Sequence, residues 1–413
     1  MRIRSQTAIP MAALLLAIAA LLVPGSAAAR AQAKTMVPAG NAWGTYAKVG
    51  NAVESGRTAL AILGCSSTHQ TNDVAAAHAP GLSTGVVRSR LDALRVKGGT
   101  GSRAVDSIHD LNLLSGLITA DTVRAVSKTS YDGARFSGGG GGSSFVDLQI
   151  AGKHYSAKAS GRIKLPGIGY VFLSRRTEAR QGAVHRTDMV VVRITRDVPR
   201  LHVTAGTVIV VGHALSSVHS AGGILAGFAF GSHAAVSGVP LGGNAGRSAL
   251  VHVSCDGTDG QLVSNQIADL GLPNLFSADN VQSTAFGDVG ADTANLQLTD
   301  TVEEADLLNG LIHAKTIRAV AAGSAAHGRL HFSPKGSGFA QLSVKGFPGI
   351  DASVPANTRL FVPGLGVLWL HRVIRHQNRI EVRMIELVVT KANSLGLPVG
   401  ADVQVAVARA AIR

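Results

Sequence analysis

An internal repeat limits this chain more than any other feature. Leu113–Val126 reads LLSGLITADTVRAV, and 194 residues later Leu307–Val320 reads LLNGLIHAKTIRAV. The segment Leu165–Leu173 (LPGIGYVFL) returns as Val362–Leu370 (VPGLGVLWL), and Met189–Arg196 (MVVVRITR) aligns with Met384–Lys391 (MIELVVTK). Cys65 aligns with Cys255. Matches in one order at a nearly constant offset mark a tandem duplication, so whatever this chain folds into, it folds into twice. The matches place a first copy at residues 32–211 and a second at 247–413. Residues 212–246, rich in Gly, Ser and Ala, read as a linker. No Asp, Glu, Lys or Arg occurs between Arg200 and Arg247.

Each copy reads as strands. Phe145–Ile150 alternates with period two, Ala151-Gly152-Lys153 turns it, and a further strand follows from His154. Arg162–Ser174 and His185–Arg196 form a second hairpin pattern, and Thr207–Val211 and Ala401–Val407 read as closing strands. Long helical periodicity is missing. Many short strands with Gly and Pro turns predict an all-β chain of two tandem β-sandwich or Greek-key-like domains.

Composition narrows the class. Apolar residues make up 46% of the 413, too many for a disordered chain. Two cysteines exclude a disulfide-dense miniprotein. Repeated apolar runs long enough to span a bilayer are absent, against a polytopic membrane protein. The N-terminus reads as an export signal over residues 1–29: basic Arg2 and Arg4, an apolar Ala12–Val23, the break Pro24-Gly25-Ser26, then small residues. The expectation is a secreted protein with no transmembrane anchor once the signal is cleaved, and with no anchoring motif at its C-terminus.

Four stretches resemble the choice-of-anchor P proteins. They are Trp43-Gly44-Thr45-Tyr46-Ala47, the strand end Leu63-Gly64-Cys65, the segment Asn112–Ala120 (NLLSGLITA) and the hairpin Leu165–Leu173. The resemblance covers most of the first copy and the second more loosely, since the second lacks the Trp-Gly-x-Tyr opening. It implies an exported protein of Gram-positive bacteria with no known catalytic activity.

Motifs that could carry chemistry are weak. Gly81-Leu82-Ser83-Thr84-Gly85 matches a nucleophile elbow, but that motif needs a strand, a strained turn and a helix, and no helix pattern follows. The run Gly138–Gly142 leads into a strand and reads as a loop rather than a phosphate cradle. Asp256-Gly257-Thr258-Asp259-Gly260 misses the spacing of a calcium loop, and the scattered histidines lack the partners of a zinc cage. No catalytic residue, metal or cofactor is expected.

Cys65 and Cys255 occupy equivalent positions in an oxidising compartment. They pair if the copies pack about a pseudo-twofold axis, and otherwise stay as separate buried residues. Charge is the strongest hint of function. Residues 30–245 carry 23 Lys and Arg against 11 Asp and Glu, whereas residues 246–413 carry 14 against 14. Two clusters stand out: Arg88, Arg90, Arg95, Lys97 and Arg103, then Arg175, Arg176, Arg180 and Arg186. A basic first copy would attract an anionic cell-wall polymer. Stacking aromatics are scarce, so no specific nucleic-acid partner is expected. The reading is a non-enzymatic, envelope-associated surface protein. The alternatives are a carboxylate-based envelope hydrolase, or a self-assembling structural protein.

Overall fold

Fourteen strands of ten residues or more carry the architecture among the described residues, seven in each copy and in the same order. In the first copy they are β1 (Thr35–Val49), β2 (Val87–Val96), β3 (Gly99–Leu113), β4 (Ile118–Tyr131), β5 (Gly169–Ala179), β6 (Val184–Ile194) and β7 (Thr207–Ala221). In the second they are β8 (Leu225–Val236), β9 (Asn280–Val289), β10 (Thr293–Leu307), β11 (Ile312–Ala326), β12 (Gly366–His376), β13 (Arg379–Val389) and β14 (Ala401–Ile412). This computed structural model describes residues 35–413 except 50–51, 65–66, 75, 80, 202, 222, 237–245, 269, 273–274 and 291. For residues 52–55, 78–79, 221, 235–236 and 270–272 it describes the backbone alone. The export signal expected over residues 1–29 lies outside the described residues.

Each copy is a two-layer antiparallel sandwich, and the all-β expectation holds. In the first copy β5-β6-β7-β1 form one layer and β4-β3-β2 the other. In the second, β12-β13-β14-β8 and β11-β10-β9 repeat the pattern. Three hairpin-connected strands with the copy's first strand beside the last is the Greek-key order. Period-two alternation decides what fills each interior. On β2, Val87, Ser89 and Leu91 are buried while Arg88 and Arg90 are exposed. Val87, Leu91, Ile108, Val123, Met189 and Val211 belong to the first core, and Val281, Val302, Ile317, Met384 and Val405 to the second.

The opening of the repeat corrects the domain boundaries. At Gly44 on β1, an added Cβ would collide with Val87, and at Gly231 on β8 with the equivalent Val281. The next residue makes the same bond in each copy: Thr45 N–H donates to Thr58 Oγ1 at 2.9 Å, and Ser232 N–H to Ser248 Oγ at 2.8 Å. Phe230-Gly231-Ser232 therefore stands where Trp43-Gly44-Thr45 stands in the first copy. Within the expected linker, residues 212–221 and 225–236 are strand. β7 runs on to Ala221, and β8 supplies the first strand of the second copy, paired along its length with β14. The small residues that dilute its hydrophobicity are those that close strand packing needs.

Two smaller readings also change. Phe145–Ile150 is not continuous: Ser144–Val146 and Leu148–Ile150 are separated by Asp147 at φ +47°. Its equivalent Gln341, at φ +51°, interrupts the second copy in the same way. In the G-x-S-x-G stretch, Leu82–Thr84 is a short strand whose Ser83 pairs with Asn112, with no helix after it.

The copies do not hang apart; residues 35–413 are one compact unit. Trp43, Leu60 and Val210 of the first copy join Phe230, Leu250 and Val407 of the second in a third apolar cluster, on the outer side of the four-strand layers. Trp43 matches Phe230 in the repeat, and Leu60 matches Leu250, so both copies use the same patch. That is an isologous interface about a pseudo-twofold axis. Its polar contacts obey the same symmetry. Asn72 Nδ2–H donates to Leu60 O at 2.9 Å and to Arg247 O at 3.0 Å, and Arg247 N–H donates to Asn72 Oδ1 at 2.7 Å. Asn265 Nδ2–H donates to Leu250 O at 3.1 Å and to Arg57 O at 3.4 Å, and Arg57 N–H donates to Asn265 Oδ1 at 2.9 Å.

Candidate functional site

The β4-β3-β2 layer sorts the basic residues of the first cluster. Cross-strand partners share a face. Register places Arg88 beside Ser107 and Arg124, and Asp92 beside Arg103 and Lys128. Arg90 lies between, opposite Val105. One solvent face thus carries Arg88, Arg90, Arg103, Arg124 and Lys128. Two acids temper it: Arg88 Nε lies 3.1 Å from Asp73 Oδ2, and Arg90 Nε 2.9 Å from Asp92 Oδ2. Burial would raise the Asp92 carboxyl, but Arg90 and His69 beside it hold it below its ordinary value. Arg95 is exposed at the end of β2, and Lys97 sits in the turn after it. Arg124 and Lys128 were not among the sequence candidates, because only the register of β4 brings them to this face.

The second cluster is elsewhere. Arg175, Arg176, Arg180 and Arg186 lie on or between β5 and β6, in the other layer of the sandwich. Arg175 packs over Phe172, its Cζ 5.8 Å from the ring centroid, and Arg180 lies in the β5–β6 turn at φ +53°. Arg176 lies on the strand between these positions, exposed. Arg186 is bound to Asp188 at 2.7 Å. The nine cations therefore do not form one patch, since they belong to the two opposite layers of a sandwich.

Asp188 also leads to the most enclosed histidine–carboxylate pair among the described residues. His213 Nδ1–H donates to Asp188 Oδ1 at 2.6 Å, and the imidazole stacks on Trp43 with centroids 4.4 Å apart and planes 9° from parallel. Burial lowers the His213 pKa, and Asp188 offsets this only in part. Burial alone would raise Asp188, but His213 and Arg186 hold it below the ordinary carboxylate value. His213 is therefore a neutral ring oriented by a carboxylate. Among the described residues no hydroxyl or thiol hydrogen-bonds its Nε2, so the pair lacks the nucleophile of a triad. It is not repeated: Arg383 and Val407 stand at the equivalent positions in the second copy.

No family model, curated protein or solved structure matches this chain. What distinguishes this chain's function lies in its own residues, and chiefly in how its two copies differ.

On β9, β10 and β11 of the second copy, the positions equivalent to Arg88, Arg90, Arg103, Arg124 and Lys128 hold Gln282, Thr284, Gln297, Arg318 and Ala322. Four of the five cations are absent there, on strands paired in the same register. A second difference lies in the other layer. Glu386 on β13 replaces Val191 of β6. It is bound by both Arg372 and Arg383, the latter at 2.6 Å. Asp402 on β14 lies diagonally across from it, two residues before Gln404, the cross-strand partner of Glu386. Burial raises the Asp402 carboxyl, against the hydrogen bond that Gln404 donates to it, and the Glu386 charge adds to the rise.

Ligand atoms of His219, Cys255 and Asp256 lie within 4.8 Å of one another. The Cys255 sulfur is in a disulfide and offers no thiolate, which leaves two ligands. Cys65, the other cysteine of the chain, lies outside the described residues.

Proposed function

We propose that this is an exported, non-enzymatic, envelope-associated protein whose first copy presents a basic sheet face to an anionic cell-wall polymer. One observation carries the reading. A duplicated fold has kept its framework on both sides, yet Arg88, Arg90, Arg103 and Lys128 occur in one copy and are Gln, Thr, Gln and Ala in the other. Structural need alone does not distinguish the two faces, because the same strands pair and bury the same alternate residues. A flat, exposed cationic face on rigid strands suits a repeating polyanion better than a small ligand, which needs enclosure. The resemblance to choice-of-anchor P proteins, carried by the sequence motifs alone, agrees with export and surface residence.

The test exchanges the first copy's residues for those of the second: Arg88→Gln, Arg90→Thr, Arg103→Gln and Lys128→Ala in the full mature chain. The unaltered protein should pellet with isolated Gram-positive walls at low salt and be released as the Debye length falls below about 8 Å. The exchanged protein should stay in solution. Equal pelleting of both overturns the reading. The Glu386–Asp402 pair supports a second reading, a carboxylate-based hydrolase, in which the raised Asp402 would be the acid. Neither residue lines the large cleft between the copies, so the first reading stands ahead of it.

A further inference from the structure

A cleft of about 460 Å³ opens between the two copies, at one side of their interface. Its first-copy wall includes Ile62 and Gln70; its second-copy wall includes Phe228, Arg247, His252 and Arg409. Two guanidinium groups share one ring there. Arg247 Cζ lies 5.0 Å and Arg409 Cζ 5.6 Å from the Phe228 centroid, and Phe228 and Arg409 are cross-strand partners. Arg247 is also held from behind, since Asn72 of the first copy takes its backbone N–H and donates to its carbonyl.

Neither arginine is ion-paired with a carboxylate among the described residues. The acid that acts on both, Glu381, is bound to Arg383 at 2.6 Å. Burial lowers the pKa of both guanidiniums, and the charges of Arg379, Arg413 and Arg383 press further on Arg409. Burial and the Arg247 charge take His252 down to about 4, so it lines the cleft as a neutral ring. Partly desolvated cations without an anion are costly, and such a cleft gains most from a ligand that brings one. The volume is that of a small-molecule site, not of a polymer groove.

The first copy again provides contrast. Arg57 is the equivalent of Arg247, but Asn41 and Leu215 stand where Phe228 and Arg409 stand. The meeting of two arginines over Phe228 therefore has no counterpart at the equivalent place in the first copy.

We infer that this cleft binds a small organic anion, its phosphate or carboxylate head held between Arg247 and Arg409 and its apolar part against Phe228 and Ile62. None of the five cations of the basic sheet face lines this cleft. The test is calorimetric titration of the full mature chain with phenyl phosphate, benzoate and inorganic phosphate. Phenyl phosphate or benzoate should bind saturably at one site, more tightly than inorganic phosphate, and the better of the two identifies the head group. Arg409→Leu, which installs the first copy's residue, should weaken that binding by about tenfold or more with the melting temperature kept. Arg247→Gln should do the same if Arg409→Leu perturbs folding. The four-residue exchange on the basic face should leave binding intact. Absence of saturable binding overturns the inference. So does an Arg409→Leu or Arg247→Gln protein that binds as tightly as the original, or loss of binding on exchanging the basic face.

Discussion

Asn72 and Asn265 are the same residue of the repeat, and each is bonded to the main chain of the opposite copy. Asn72 closes a ring with Arg247, and Asn265 closes one with Arg57. Close approach is part of the device. At Gly246 an added Cβ would collide with Asn72 Oδ1, and at Gly56 with Asn265 Oδ1, along with backbone carbonyls of the facing copy. The two copies are locked at symmetric points, and that interface also sets the shape of the cleft.

Removing either asparagine should therefore leave paired backbone groups of the other copy unsatisfied. Asn72→Ala or Asn265→Ala should each destabilise the chain by about 1–3 kcal/mol, and the double variant by more. Urea denaturation followed by circular dichroism measures this. A midpoint unchanged in both single variants would show that the lock contributes nothing.

The disulfide at Cys255 should join it to Cys65, because the chain has no other cysteine. Peptide mapping without reductant should yield one linked pair and no free thiol. Closing a loop of roughly 190 residues is worth about 5 kcal/mol in the chain-entropy model, so reductant should lower the melting temperature markedly. A linkage to a second molecule in the mapped peptides, or an unchanged melt after reduction, would contradict this.

Asp106 and Asp300 are equivalent and fully buried, each hydrogen-bonded by one serine, Ser89 at 2.7 Å and Ser283 at 2.6 Å. Burial pushes both carboxyls up to about 8. A folded-state value above the unfolded one near 4 means the folded chain holds extra protons between those limits. Stability from these groups is therefore greatest below about pH 4 and is lost as pH rises toward 8. The double variant Asp106→Asn, Asp300→Asn should melt higher than the original at pH 8 and show a flatter pH profile between 5 and 8. A wild-type slope in that window would be the contrary result.

His213→Ala removes the stacking partner of Trp43 and leaves Asp188 buried with Arg186 alone. The loss should be about 2–4 kcal/mol, with a change in tryptophan emission from the newly exposed ring. Because the Asp188 carboxyl is held low, the stability it brings is present above the unfolded value and fades as pH falls through the folded one. Asp188→Asn should accordingly flatten the acid limb of the melting profile. An acid limb identical to the original would argue against this assignment.

How far these features could be read from residues alone differs from one to the next. The 194-residue offset and the alternation in segments such as Val87–Leu91 were enough for two copies of an all-β unit. The first strand of the second copy is hidden in the sequence, because Phe230-Gly231-Ser232 shares only its glycine with Trp43-Gly44-Thr45. Its small residues looked like a linker until their fit against Val281 and Ser248 was visible. The cationic face was half legible. Arg88, Arg90 and Arg103 were found by clustering, but Arg124 and Lys128 joined them only through strand register, and Arg175 and Arg186 left for the opposite layer.

The sequence by itself determined the duplication, the strand class and the imbalance of charge between the copies, because these follow from local patterns of residue type. Tertiary structure decided the rest. Which arginines share a face depends on the pairing register of neighbouring strands. Which asparagines bridge the copies depends on how two whole sandwiches pack about a pseudo-twofold axis, and which arginines meet over Phe228 depends on the pairing of the first and last strands of the second copy. The bridges between the copies join residues more than 150 positions apart, and no local pattern encodes the distance between them.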